Sequence, residues 1–407
     1  MKAVELFTGA GGLAMGSSMA GFSPEVVVEW DQWACDTIRE NQRRGFPLAQ
    51  NWPLVQGDVR RMDWSGLSRG VDLLAAGPPC QPFSMGGSHR SFGDERDMFP
   101  VTVEAVQRLE PKAFIIENVK GLTRSSFADY YQYILLRLEF PSVGRRENES
   151  WEEHLSRLQQ EKTSGGLHQG GELTYHVVPT LVNAANYGVP QQRERVFIVG
   201  FRSDLGVEWS FPQPTNDFNS LLKEQWITGE YWERHGIPTR RRPSPPSRWE
   251  KRIARIHEGR EEANLRPWRT VRDALVDIPD PRDDRKARFR NHHFQDGAKV
   301  YPGHTGSPLD LPAKTLKAGD HGVPGGENMM VRDGGDVRYF TVRESARLQT
   351  FPDGYVFHGA WSETMRQLGN AVPVALGRVV AGSVASRLAE CELRRLTRSR
   401  NAGRAMA

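Results

Sequence analysis

The chain has 407 residues, with 54 basic side chains against 50 acidic ones, a net charge of +4 and a pI near 9.0. That length exceeds what one hydrophobic core usually serves, so a larger domain with a smaller one is expected, and the near balance of charge leaves room for local basic faces that attract a polyanion. Three widely spaced cysteines, Cys35, Cys80 and Cys391, exclude a disulfide framework and a Cys-x-x-Cys metal site; with no leader-like start and no run near the ~20 apolar residues that span a bilayer, a soluble cytoplasmic chain with no membrane partner is expected.

In chain order, "KAVELF", "EVVVEW", "VDLLAAG", "AFIIENV", "YHVVPTLV" and "RVFIVGF" read as buried strands, with amphipathic stretches such as "WACDTIRENQRR" and "YYQYILLRLEF" between them. The alternation predicts an α/β fold, a doubly wound Rossmann-like sheet over residues 1–205. Over residues 206–311 prolines, arginines and aromatics crowd together, as in "RHGIPTRRRPSPPSRWEKRIARI", and a second, smaller and irregular domain is expected. Helical order returns over 312–390, where "AVPVALGRVVAGSVASRLAECELRRL" is long enough to pack back on the first domain, and 391–407 reads as a basic, solvated tail.

The stretch "ELFTGAGGLAMG", residues 5–16, follows the first strand and opens a helix, so Gly9, Gly11 and Gly12 can let backbone approach a ligand at the helix N-terminus. Read as Gly9-x-Gly11-x-x-Ala14 it also fits a dinucleotide fingerprint, with Glu29 near the ~20-residue offset of a ribose-binding acid. A plain structural turn fits it too. Glu29 and Trp30 end the second strand with a carboxylate for ribose hydroxyls and an indole for an adenine. Asp58, in "GDVR", ends the third. A Gly loop, an acid-aromatic pair and an acid on successive strand ends suit one nucleoside ligand lying across the carboxyl edge of the sheet. The fourth strand runs into "GPPCQPFSMGG", where Pro78 and Pro79 stiffen the turn and forbid regular structure, so Cys80 emerges on a loop as a nucleophile rather than as core filling. His292 and His293 lack a nearby cysteine or a second spaced pair, and no metal is expected.

In order, "ELFTGAGG", "VEWD", "GPPCQPFS", "ENV", "QQRERVF", "RESARLQTFPD" and "GNAVPVALG" resemble the motifs of the DNA (cytosine-5)-methyltransferases of prokaryotic restriction-modification type. The resemblance implies an S-adenosylmethionine-dependent methyltransferase fold, with 206–311 as the target-recognition domain. It makes Cys80 the thiolate that adds to carbon 6 of cytosine, Glu117 the acid at the N3 side, Arg195 the holder of the base carbonyl, and Arg193 a contact to a nearby phosphate or the thiolate loop. Phe7, Gly9, Gly11, Gly12, Glu29 and Trp30, with Asp58, Pro79 and Asn370, would hold S-adenosylmethionine. Double-stranded DNA is the implied partner, its target base flipped into the pocket. Gln81 and Ser84 would touch the DNA, and Arg240, Arg241, Arg242, Arg248, Arg252 and Arg290 supply phosphate contacts and guanine readers. A compact monomer is expected, with a companion restriction endonuclease as an analogy needing no direct contact. A transfer-RNA cytosine-5 methyltransferase shares these motifs, but that branch carries a Cys-Phe-Thr tripeptide and no cysteine lies between Cys80 and Cys391. An NAD-dependent oxidoreductase would leave the Cys80 loop, Glu117 and the arginine pair unexplained.

Overall fold

The computed structural model describes residues 1–79, 97–164, 172–302, 305–318 and 328–405; Cys80, Gln81 and Ser84 lie outside the described residues. Seven strands form the central sheet: β1 (Lys2–Leu6), β2 (Ser23–Glu29), β3 (Leu54–Gln56), β4 (Leu73–Ala76), β5 (Ala113–Val119), β6 (Tyr175–Asn183) and β7 (Glu194–Arg202). Their order is β3-β2-β1-β4-β5-β7-β6, the doubly wound arrangement expected from the sequence. β1 to β5 pair in parallel, whereas β7 runs antiparallel to both β5 and β6. The apolar runs of β1, β4 and β5 are buried on both faces because helices cover both.

On one face lie α3 (Phe99–Leu109) and α4 (Ala128–Glu139), packing Val103, Val106, Tyr130, Ile134 and Leu138 against Val4, Leu6, Leu74 and Ile116. α1 (Gly12–Met19) and α2 (Gln32–Arg43) follow β1 and β2, and α5 (Trp151–Ser164) packs on α4. At the far end of the chain, α10 (Val342–Leu348), α11 (Trp361–Asn370) and α12 (Val374–Ala405) return to this body. α12 lays Leu376, Val380, Ala381 and Val384 over Ala3, Leu13, Leu73 and Ile115 on the second face. The segment Trp361–Thr397 is long and apolar enough to cross a bilayer by composition, unlike the expectation from apolar runs, but 67% of its apolar window is buried inside the protein, as in a core helix.

Glycines explain how closely that return segment docks. A Cβ on Gly12 would sit 2.2 Å from the Val372 carbonyl oxygen, and one on Gly16, a helical turn later, 2.6 Å from Gly377 and Arg378 backbone. Gly11 has φ +89°, and its Cβ would meet the Trp52 ring at 2.7 Å. Gly11 and Gly12 thus make room for Trp52 and the C-terminal backbone.

Between β7 and α10 the chain builds a smaller body from α6 (Phe218–Lys223), α7 (Glu230–Arg234), α8 (Ser247–His257) and α9 (Val271–Ala274), with the short strands β8 (Asn216–Asp217) and β9 (Arg266–Pro267). Leu221, Tyr231 and Trp232 form its core with Phe218, Trp226, Trp268 and Leu311 around them. A second cluster joins Val271 and Ala274 to Ala313, Leu316, Met330 and Phe340. β10 (Ser307–Pro308) pairs with β11 (Met329–Val331), which pairs with β12 (Val337–Tyr339), so this body continues through the 311/312 position where the sequence suggested a boundary. His292 is buried, with one ring nitrogen on Thr341 Oγ1 (2.8 Å) and the other on the Pro279 carbonyl (2.9 Å), a structural tie onto the N-cap of α10.

Candidate active site

The strand order reverses between β1 and β4, and a cavity of about 1480 Å³ opens there at the carboxyl edge of the sheet. β1, β2, β3, β4 and β5 deliver Phe7 and Gly9, Glu29 and Trp30, Asp58, Pro79, and Glu117 to its wall. Because β7 runs the other way, its first residues arrive at this same edge, and Arg195 completes the wall. Asn370, at the end of α11, lines it from the return segment.

The loop after β1 turns sharply, with φ +54° at Phe7 and +56° at Gly9. A Cβ on Gly9 would meet nothing within 4 Å among the described residues, so this glycine, unlike Gly11 and Gly12, leaves open space at the cavity. Glu29 Oε2 accepts the Gly9 N–H at 2.6 Å, and Oε1 accepts those of Trp30 (2.9 Å) and Asp31 (2.8 Å). Burial raises the Glu29 pKa, and the three N–H donors oppose the rise. The Trp30 indole is 69% exposed, a large apolar face free for stacking. Asp58 caps the 3-10 turn Val59–Arg61 and pairs with Arg60 at 2.6 Å, and this hydrogen bonding lowers its pKa.

On the other side of β4, Glu117 is 7% exposed and faces Arg195, Nε to Oε1 2.8 Å, without a well-aligned hydrogen bond at that oxygen. The register explains the pair: Val119 lies opposite Arg195, so Glu117, two residues earlier, shares its face of the sheet as a diagonal neighbour. Burial raises the Glu117 pKa, opposed by the Arg195 and then the Arg193 charge. Asn118 turns its side chain the other way, donating from Nδ2 to the Pro78 carbonyl at 3.2 Å and fixing the prolines that lead to Cys80.

Arg193 departs from expectation. It is fully buried and does not line the cavity; its guanidinium donates to the carbonyls of Leu316 (3.1 Å), Gly369 (2.7 Å) and Ala371 (2.9 Å). The guanidinium thus clamps the return segment and offers no exposed face to a phosphate, and burial pushes its pKa down. Two of the six arginines expected to contact DNA are also spoken for. Arg252 donates to Asn219 Oδ1 at 2.6 Å, approaches Glu261 at 3.5 Å and covers the Phe218 ring. Arg242 donates to the Ile237 carbonyl at 3.3 Å and lies near Glu233. Arg248 stacks on its neighbour Trp249, 4.4 Å to the ring centre. Arg240, Arg241 and Arg290 are exposed. Sequence reasoning passed over Lys120, Arg124, Thr315, Lys317 and Arg366, all cavity-lining; the charges in "ENVKGLTR" and "PAKTLKAG" were the available signal.

A family model described as C-5 cytosine-specific DNA methylase matches residues 1–140 and 157–386. The chain is 31% identical to Type II methyltransferase M.Eco47II of Escherichia coli over 385 residues, spanning 94% of this chain and 78% of that one. It is 29% identical to Type II methyltransferase M.PspPI of Psychrobacter sp. (strain TA137) over 388 residues, with 94% and 78% covered. In fold it is similar to the S. pombe Dnmt2 methyltransferase, with a TM-score of 0.55 at 16% identity over 96% of this chain and 99% of that one. With the strand order, the cavity at the switch point and a family match over most of its length, the chain belongs to the C-5 cytosine-specific DNA methylase family.

Proposed function

We propose that this protein methylates carbon 5 of a specific cytosine in double-stranded DNA, using S-adenosylmethionine and a covalent adduct through Cys80. The observation that carries the reading is the buried Glu117–Arg195 pair, set beside the Pro78–Pro79 turn and across β4 from the Gly9 loop. The cavity fits the cofactor on the side of β1 to β3: open space over Gly9, an exposed indole at Trp30, and carboxylates at Glu29 and Asp58 for hydroxyl and amino groups. Phe7, Pro79 and Asn370 would complete that enclosure. Bound there, S-adenosylmethionine supplies an electrophilic methyl group to the activated carbon 5.

The chain's own residues do the rest. The Cys80 thiolate adds to carbon 6, forming the S–C6 bond and pushing the C5–C6 π electrons onto carbon 5 and, through carbon 4, toward N3. Glu117 donates its proton or a hydrogen bond at N3, and Arg195 holds the ring carbonyl, so the charge that develops is neutralised in a water-poor site. Loss of the carbon 5 proton then restores the double bond and expels Cys80. A base stacked in a duplex cannot reach this depth, so the target must be flipped out, at a cost of a few kcal/mol.

Duplex binding falls to the body between β7 and α10, with Arg240, Arg241 and Arg290 among its exposed cations. A soluble cytoplasmic monomer, paired in the cell with a restriction endonuclease it need not touch, is the setting of this reading. Incubation with labelled cofactor and either duplex DNA or transfer RNA tests the reading. Label in DNA as 5-methylcytosine is expected; label in RNA alone, or at another cytosine atom, would overturn it.

A further inference from the structure

Among the described residues, six cations line the cavity: Arg60, Lys120, Arg124, Arg195, Lys317 and Arg366. Five are engaged. Arg60 pairs with Asp58, Lys120 with Glu194 at 2.8 Å, Arg195 with Glu117, and Arg366 with Asp31 at 3.0 Å and with Glu363. Lys317 also has a partner. Among the described residues, the Arg124 guanidinium has no carboxylate, hydrogen-bond or ring partner, although the residue is half-buried. An arginine held partly out of water without a counter-charge is poorly placed unless an anion arrives.

Its backbone is well anchored. Arg124 sits in extended conformation between the 3-10 turns Lys120–Thr123 and Ser125–Phe127, its N–H on the Gly121 carbonyl (3.3 Å) and its own carbonyl accepting from Phe127 (2.9 Å). Leu122 and Phe127, on either side, are buried in the core beneath β5. The segment leaves the end of β5, beyond Glu117, so it lies on the base side of the cavity and away from Trp30 and Asp58 on β2 and β3. Gln192 and Thr315 line the same cavity, joined by a 2.7 Å hydrogen bond from Thr315 Oγ1 to the Gln192 carbonyl.

We propose that Arg124 binds a backbone phosphate of the DNA strand that carries the flipped cytosine, forming a fixed anchor in the catalytic body opposite the recognition domain. The inference rests on the duplex-methylation reading above. A phosphate contact of this kind adds affinity for any duplex and carries no base preference.

The test compares wild type, Arg124→Ala and Arg124→Lys by fluorescence anisotropy on cognate and scrambled duplexes at several salt concentrations. Arg124→Ala should weaken both duplexes alike, by roughly 3- to 10-fold, and lower the slope of log K against log salt by about 0.9. Arg124→Lys should restore the slope. Calorimetry with S-adenosylhomocysteine should give the same affinity in all three proteins. Replacing single phosphates near the target by methylphosphonates should reveal one linkage that matters to wild type and not to Arg124→Ala. An unchanged slope in Arg124→Ala, or joint loss of cofactor and DNA binding, would overturn the phosphate assignment while leaving duplex methylation standing. Failure of wild type to bind duplex with any salt dependence would overturn both.

Discussion

Glu117 Oε1 and Arg195 Nε lie 2.8 Å apart across the β5–β7 pair, so a carboxyl that burial pushes toward its protonated form is checked by a cation it faces directly. As a proton donor, Glu117 is competent below its pKa and is lost as pH rises through it. Glu117→Gln should lower kcat by about 10²- to 10⁴-fold while cofactor binding persists. Arg195→Ala should leave burial less opposed, raising the Glu117 pKa further. The alkaline limb of the kcat/KM profile should then move to higher pH at reduced amplitude; a limb that stays in place would separate Glu117 from the titration.

Glu5, on β1, is fully buried at the cavity wall, its Oε1 has no hydrogen-bond partner, and burial pushes its pKa up to about 8 from an ordinary 4.5. Between those values the native state holds a proton that the unfolded chain has released, so the native state loses stability as pH rises. The contribution is full below the unfolded pKa and falls by up to about 1.4 kcal/mol per pH unit through the window. Urea unfolding from pH 4.5 to 8 should therefore show a steeper decline for wild type than for Glu5→Gln. Parallel curves would show Glu5 ionised in the fold.

Gly12→Ala would force a methyl against the Val372 carbonyl, 2.2 Å from an unrelaxed Cβ. Both partners are backbone, so α1 and the return segment must separate, at a cost of about 1 to 3 kcal/mol or more. Gly9→Ala meets no such wall, although φ +56° still disfavours a side chain. Thermal melts should fall further for Gly12→Ala, whereas cofactor calorimetry should respond to Gly9→Ala. The opposite ranking would return Gly12 to the ligand.

What the sequence made legible was the frame of the site. Buried apolar runs gave the strands, and acids or turn residues at their ends gave Gly9, Glu29 and Asp58, because a strand end in a doubly wound sheet has one edge to reach; Glu117 came from the family resemblance. The direction of β7 was not legible, since an apolar run has no sign of its partner's direction, yet that reversal is what brings Arg195 to Glu117. Nor were the contacts of Gly11, Gly12 and Arg193, which answer to Trp52 and to residues 316–372, far along the chain. Arginine content marked the smaller body, but composition does not separate Arg252, held by Asn219 and Phe218, from an exposed Arg240.

That sorting gives a further expectation. Arg252→Ala and Arg242→Ala should act mainly through folding, lowering the melting temperature with DNA discrimination little changed. Arg240→Ala, Arg241→Ala and Arg290→Ala should leave the melt alone. Each should either lower the salt slope by about one unit for all duplexes or cost about 1 to 3 kcal/mol at the cognate site alone. Anisotropy on cognate and scrambled duplexes, beside melts of all five variants, distinguishes these outcomes; no DNA effect from any of the three exposed arginines would move recognition elsewhere.

The most direct measurement concerns Cys80. Duplex DNA with 5-fluorocytosine at the target cannot release that substituent as a proton, so the adduct should persist once the methyl group is in place. With S-adenosylmethionine present, wild type should form a DNA-linked species that survives denaturing electrophoresis, and Cys80→Ala should form none while retaining duplex affinity. Methylation of ordinary DNA by Cys80→Ala at the wild-type rate, or no adduct from an active wild-type enzyme, would contradict covalent catalysis by this thiol.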